Sequence, residues 1–189
     1  DLAPGLLEAG GIVCGKAPGF EADDFLGAAA AAERARGGKS LVATSDRDAF
    51  QLVAEDVTVL QPVRGVRELA RIGPAEVRER YGVDPGQVTD FIALRGDPSD
   101  KIPGARGVGA KTAASLLAQY GTLEALLDAG RFAAEADALR AYRRVATFDA
   151  TAPLPPLPEG GPDWEAVARA ADDLGLARLA GRVREIAST

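Results

Sequence analysis

Gly104, Gly107 and Gly109 fall between two stretches of helical periodicity, and this spacing constrains the chain more than any other feature in it. Ahead of them, Pro85 opens an apolar run that reads as a helix to about Arg95, with Val88, Phe91, Ile92 and Leu94 as its core positions. Behind them, residues 110–120 read as a second helix, with Leu116 and Leu117 turned inward. Glycines let the backbone turn tightly, and the N–H groups that open the following helix make a natural anion site. Lys111, just past the last glycine, adds charge there without any selectivity for a base. A dinucleotide fold is a poor fit because no strand precedes the glycines. A plain interhelical turn, or a helix pair used for protein contact, remains compatible with the pattern.

The rest of the chain divides around Pro74. Before it, residues 21–36 are Ala-rich with Phe25 and Leu26 on an apolar side, and Gly37-Gly38 ends the predicted helix. Residues 40–44 suit a buried strand, followed by the polar loop Ser45-Asp46-Arg47-Asp48, a short apolar segment (Phe50 to Val53) and a second strand over 57–60. Strands alternating with helices through short connections predict a parallel α/β sheet. After Pro74 helices dominate: from Pro74, from Pro85, over 110–120, 122–129, 133–147 and 163–185. The proline-rich stretch 151–158 is predicted extended. The expected organisation is therefore an α/β part over residues 1–73 and a helical part over 74–189.

What is absent narrows the chemistry. With no histidine and a single cysteine (Cys14), the chain holds neither a histidine-bearing triad nor a thiolate or imidazole zinc cage. Any metal must be held by oxygen, which points to magnesium or manganese. One cysteine also rules out an internal disulfide and fits a reducing cytoplasm. No apolar run approaches the ~18 residues of a membrane span. The lack of methionine predicts a fragment of a longer protein.

A net charge of −6 argues against nucleic acid as a partner, unless acids and bases are segregated. Here they are. Seven acids lie in three clusters: Glu21, Asp23 and Asp24 at a helix start; Asp46 and Asp48 directly after a strand; Asp97 and Asp100 after the apolar helix. From Lys101 to Leu123 there are three bases and no acid. Each cluster alone has an ordinary reading: a helix dipole attracts first-turn acids, Asp-x-Asp makes polar loops, and Asp-Pro-Ser-Asp makes turns. Brought together, they would form the carboxylate bed that a pair of divalent cations needs for in-line phosphoryl displacement.

The glycine turn is the helix–hairpin–helix pattern, at 102–118, and its candidate DNA-backbone contacts are Gly104, Arg106, Gly107, Val108, Gly109, Lys111 and Thr112. The clusters and this turn occur in the order of a known family. Gly-Phe-Glu-Ala-Asp-Asp (19–24), Thr44-Ser45-Asp46-Arg47-Asp48 with Gln51-Leu52, Tyr81-Gly82-Val83 with Pro85 and Gln87, and residues 90–104 with the hairpin after them resemble the 5′ nuclease domain of bacterial DNA polymerase I and its stand-alone relatives. Ala146-Thr147 and Pro153-Leu154 before a final helix pair also fit, so the resemblance runs from about residue 13 to 186.

It implies a partial parallel sheet of a PIN-like nuclease domain followed by a helical H3TH domain. It implies a metal-dependent 5′→3′ exonuclease or flap endonuclease of replication and repair, acting on a 5′ flap or nicked duplex and associated with a DNA polymerase. Two Mg2+ or Mn2+ ions would serve it: Glu21 and Asp23, with Asp24 alongside, at the first, and Asp46, Asp48, Asp97 and Asp100 at the second. One ion would activate the attacking water and the other steady the leaving oxygen. Family members hold a potassium ion at the hairpin.

The family's upstream segment, with two further aspartates, a central strand and a threading arch, is not found here. A non-cleaving DNA-binding module is therefore the rival reading. An RNase of the single-domain toxin class is a weaker one, because it lacks the helical half. Arg47 and Lys101 stand where the family usually has lysine and asparagine.

Overall fold

The computed structural model describes residues 3–156 and 161–188. Two compact units emerge: one spans Asp23–Ala152, the other gathers the N-terminal stretch to Ala22 with the C-terminal stretch from Pro153.

In the larger unit, α2 (Ala22–Ala35) leads into β1 (Ser40–Ala43), a 3₁₀ turn (Asp48–Leu52), β2 (Val57–Pro62) and β3 (Leu69–Ile72). β1 and β2 pair in parallel, with Ser40 opposite Val57, as strand–helix alternation requires. β3 then adds antiparallel to the far side of β2, with Val59 opposite Ile72. That third strand is unexpected. It is four residues long and alternates in burial, with Leu69 and Arg71 exposed and Ala70 and Ile72 turned in, but the apolar Leu69 on the outer face hides that alternation in the sequence.

The helical part follows: α3 (Pro74–Tyr81), a 3₁₀ turn (Pro85–Gln87) continuing into α4 (Val88–Arg95), α5 (Ala110–Tyr120), α6 (Leu123–Asp128), a 3₁₀ turn (Ala133–Glu135) and α7 (Ala136–Ala146). Their ends are set by local chemistry. Proline stands in the first turn of α3, Gly82 closes it with a left-handed φ of 70°, and the Thr122 hydroxyl accepts from Ala125 N–H to start α6. One core runs from Val42, Phe50 and Val59 on the sheet side, through Ile72, Val77, Phe91 and Leu94, to Leu117, Leu126 and Leu139.

Inside it, α4 acts as the hub. Its buried Asp90 accepts from Leu123 N–H at 2.9 Å and meets Arg143 at 3.5 Å, and Arg143 also pairs with Glu124, so one carboxylate fastens α4 to α6 and α7. A charge buried this way is tolerable only because it is paired and hydrogen-bonded.

The smaller unit packs α1 (Ala3–Ala9), absent from the sequence-based reading, with α8 (Trp164–Asp173) and α9 (Ala177–Ala187) around Leu6, Val167, Ala171, Ala180 and Val183. The helical stretch expected over 163–185 is thus two helices, parted where Gly175 takes a φ of 72°. Residues 152–156 are neither helix nor strand, while Leu157 and Pro158 of the predicted extended run lie outside the described residues. Among the described residues no helix is long and apolar enough to cross a membrane.

Candidate active site

The loop at the carboxyl end of β1 builds the first wall of a polar cavity. The Thr44 hydroxyl accepts from Asp46 N–H at 3.1 Å, and the Asp46 carboxylate accepts from Asp48 N–H at 2.9 Å. These successive side-chain caps coil the chain into the 3₁₀ turn, which buries Asp48, Ala49 and Phe50. In open α/β sheets this end of a strand is where ligands sit.

The second wall comes from the end of α4. Gly96 (φ 84°) turns the chain out of the helix, and Asp97 and Ile102 exchange both backbone hydrogen bonds at 2.8 Å, closing residues 98–101 into a tight loop. Inside that loop Lys101 holds a φ of 58°, a left-handed conformation that asparagine adopts far more readily than lysine. Lys101→Asn is therefore expected to stabilise the protein by about 0.5–1 kcal/mol in urea melts. A loss of stability would mean that the lysine side chain repays its backbone cost.

Between the walls lies a cavity of about 410 Å3 lined by Asp46, Asp48, Asp97 and Ser99, with Arg47, Tyr81 and Arg95 around them. Asp48 is only 7% exposed. Burial, then the neighbouring charges of Asp46, Asp100 and Asp97 and a hydrogen bond with Asp100, push its pKa up to about 7. Asp97 behaves oppositely. Its partial burial works to raise the pKa, but the Ser99 hydroxyl and N–H, with the Arg95 guanidinium, more than offset this and leave it below the usual carboxylate value. Arg95 Nη2 stands 2.8 Å from Asp97 Oδ2, and its guanidinium lies over the rings of Phe91 and Tyr81 at 5.1 and 5.8 Å. Those rings stack with centroids 5.0 Å apart.

Two segments far apart in sequence thus bring Asp46, Asp48, Asp97 and Asp100 together. Asp23 and Asp24 occupy the first turn of α2, where Asp24 Oδ1 accepts from Asp149 N–H at 2.7 Å, and Glu21 immediately precedes that helix. Among the described residues no group of three or more acids already stands as an array able to hold a metal ion. Asp97 has one oxygen on Arg95 and the other on Ser99, and Asp46 caps Asp48. The donor set nevertheless suits a hard divalent cation, being all oxygen, and Asp48 lies among more negative charge than its surroundings neutralise. Sequence reasoning missed Tyr81, Arg95 and Ser99 as site residues. Their adjacency to the acidic strings was the available signal.

Beyond the loop, Gly104 (φ 77°) packs against the end of α4: a Cβ there would lie 2.5 Å from Gly96 N and 2.6 Å from Arg95 C. Gly107 and Gly109 face open space. Arg106 N–H is already taken by the Glu135 carboxylate at 3.0 Å, Val108 is half-buried against the core, and α5 begins at Gly109 with no side-chain cap. Lys111 and Thr112 are exposed on its first turn.

Residues 1–82 match the N-terminal resolvase-like domain of 5′-3′ exonucleases, and residues 83–159 match their C-terminal SAM fold. DNA polymerase I of Mycobacterium tuberculosis is 52% identical over 128 residues, 68% of this chain and 14% of its own length. The 5′-3′ exonuclease of the same organism is 46% identical over 136 residues, again 68% of this chain and 42% of its own. This chain therefore spans less than half the length of either relative.

The T5 5′-exonuclease, solved with divalent metal ions (zinc), superposes with a TM-score of 0.59 at 20% identity, covering 89% of this chain and 60% of that one. The catalytic core of Rad2 in complex with DNA substrate gives 0.57 at 18%, covering 96% and 67%. These two likenesses show a shared fold. With both halves of the family pattern matched in order over residues 1–159, the chain belongs to the 5′-3′ exonuclease family.

Proposed function

We propose that this chain is the cutting and duplex-gripping portion of a metal-dependent 5′→3′ DNA exonuclease or flap endonuclease. The convergence of Asp46, Asp48 and Asp97 on one polar cavity, with Asp100 hydrogen-bonded to Asp48, carries this reading. Two Mg2+ or Mn2+ ions bound by these acids and by Glu21, Asp23 and Asp24 would supply the activated water and the stabilised leaving oxygen. The protein's own part is to hold the carboxylates, keep Asp97 ionised through Arg95 and Ser99, and turn the uncapped start of α5 toward a phosphate.

Gly107, Gly109, Lys111 and Thr112, with Arg106 and Val108 of the same turn, would grip the duplex backbone, a potassium ion assisting there. Gly104 contributes by letting the turn close. The substrate is a 5′ flap or nicked duplex, and a DNA polymerase is the expected associate. The metal ions and DNA named for the structural neighbours support this assignment.

A labelled 5′-flap duplex, cut in magnesium and spared in chelator, tests it, with Asp97→Ala expected to abolish the cutting. Equal cutting by Asp97→Ala and the parent chain overturns the site. Tight binding without cutting would favour the rival module. In the binding arm, Lys111→Ala is expected to weaken affinity alike for all sequences and to lower the salt slope by about one. A sequence-dependent loss would show that Lys111 reads bases instead of the backbone.

A further inference from the structure

Outside the acid cavity, an unusual set of contacts converges on residues 146–149, where α7 ends. Gln51, at the end of the 3₁₀ turn that carries Asp48, donates from Nε2 to Asp48 O and to Ala146 O, both at 2.9 Å, and its Oε1 accepts from Phe148 N–H at 3.0 Å. A carbonyl at one residue and an N–H two residues on is the pair that a neighbouring β-strand would engage. Thr147 between them is extended, with φ −90° and ψ 123°. One carboxamide therefore does the work of a strand and welds residues 146–148 to the acidic turn.

The same strap is fixed at its other end to the start of α2. Asp149 N–H donates to Asp24 Oδ1 at 2.7 Å, and Phe148 lies on Gly27, where an added Cβ would come within 3.3 Å of Phe148 Cβ. A segment of four residues is thus pinned between the turn bearing Asp46 and Asp48 and the helix turn bearing Asp23 and Asp24.

We propose that Gln51 is a positioning residue: its amide locks the 146–149 strap between two acid-bearing turns and so sets the spacing of the first carboxylate cluster from the second. This rests on the metal-binding reading of those clusters. Paired cations roughly 3.5–4 Å apart tolerate little slack in the groups that hold them, so a clamp spanning both groups acts on metal binding without touching a metal.

The experiment compares the parent chain with Gln51→Ala and with Gln87→Ala. Gln87 is a matched control, because its Nε2 also bonds two carbonyls, Leu117 O at 3.3 Å and Gly121 O at 2.7 Å, neither of which belongs to the strap. Mn2+ binding is followed by electron paramagnetic resonance, and amide hydrogen exchange is read without metal. Gln51→Ala is expected to weaken Mn2+ binding about tenfold, the usual scale for an outer-shell partner, and to speed exchange at Asp48 and Asp149. Gln87→Ala is expected to lower the melting temperature and leave both readouts unmoved.

Gly27→Ala displaces Phe148 from the opposite side, and it serves as a milder variant with the same direction of effect should Gln51→Ala fail to fold. Unchanged Mn2+ affinity in the Gln51 and Gly27 variants, with the parent chain binding normally, overturns the positioning role alone. A parent chain that binds no Mn2+ overturns the metal reading and this role with it.

Discussion

Gly104→Ala is expected to cost about 3–5 kcal/mol, enough to unfold much of the larger unit, whereas Gly107→Ala should cost only about 1 kcal/mol. Both glycines hold φ at 77°, so the left-handed penalty is the same for each. The difference is space. A Cβ on Gly104 meets Gly96 N, Arg95 C and Arg95 O at 2.5–2.8 Å, and these are backbone atoms that no rotamer change can move aside. The contact is mutual, because a Cβ on Gly96 would lie 2.7 Å from the carbonyl oxygens of Ile102 and Pro103.

The crossing lets Ala105 N–H reach Leu94 O at 2.9 Å and places the hairpin directly after the Asp97 loop. A Cβ on Gly107 would meet nothing within 4 Å beyond its chain neighbours. Urea melts of the two variants separate these cases. Equal losses would show that the crossing relaxes and that Gly104 has no special packing role. Gly109→Ala extends the comparison: its φ of −98° and open surroundings predict near-parental stability, so any fall in duplex affinity there reports blocked phosphate approach.

These three glycines also show how far the sequence could be read. Their spacing announces a tight turn between helices, and α4 and α5 do flank it. Which glycine serves packing and which leaves room for a ligand is decided by atoms brought in from Arg95 and Gly96, and no local pattern encodes that. Helices with their own punctuation, such as α2 before Gly37 and α3 behind Pro74, were legible because proline and glycine act within a residue or two. β3 was not, since its stability comes from pairing with β2 and not from its own side chains. The break at Gly175 had no periodicity of its own to mark it, because Leu174 and Leu176 on either side suit a continuous helix, and only the family resemblance pointed to a helix pair there.

In the site, the acidic residue types and their order could be read, but their meeting could not. It depends on the Asp97–Ile102 bridge and on the ring contacts that run from Phe50 on the first wall through Tyr81 to Phe91 on α4. Gln51 lay in plain view beside the second cluster, yet its partners Ala146 and Phe148 sit nearly a hundred residues away, 95 and 97 positions along the chain.

Asp48→Asn is expected to stabilise the metal-free protein by about 2–3 kcal/mol at pH 8. Asp48 has a folded pKa of about 7 against an ordinary value of 3.8, raised by burial and then by Asp46, Asp100 and Asp97. The folded state thus binds this proton more tightly than the unfolded chain does. Its stabilising contribution is complete below the unfolded pKa and is lost progressively as pH rises through the folded one. The parent protein should therefore weaken between about pH 4 and 7, by up to ~1.4 kcal/mol per pH unit, and level off above that. The full shift would give about 4 kcal/mol, and sharing the proton among neighbouring carboxylates brings the expected figure down.

Asparagine carries no charge to strand, so its gain over the parent grows across the same window. The groups held below the usual carboxylate value, Asp97 and Glu124 among them, act in the opposite sense, but their gain is complete once the unfolded carboxyls have ionised, by about pH 5, and leaves the upper part of the window clear. Magnesium should reverse the order. A cation that binds only the folded state adds stability in proportion to the logarithm of its concentration over Kd, and that gain should be smaller for Asp48→Asn than for the parent. Melting temperatures at pH 5 and pH 8, each with magnesium and with chelator, read all of this at once. A parent protein whose stability stays flat or rises across the window, or an asparagine variant that gains nothing at pH 8, would show that Asp48 is not buried among uncompensated charge, and the case for cations at this cavity would lose its electrostatic footing.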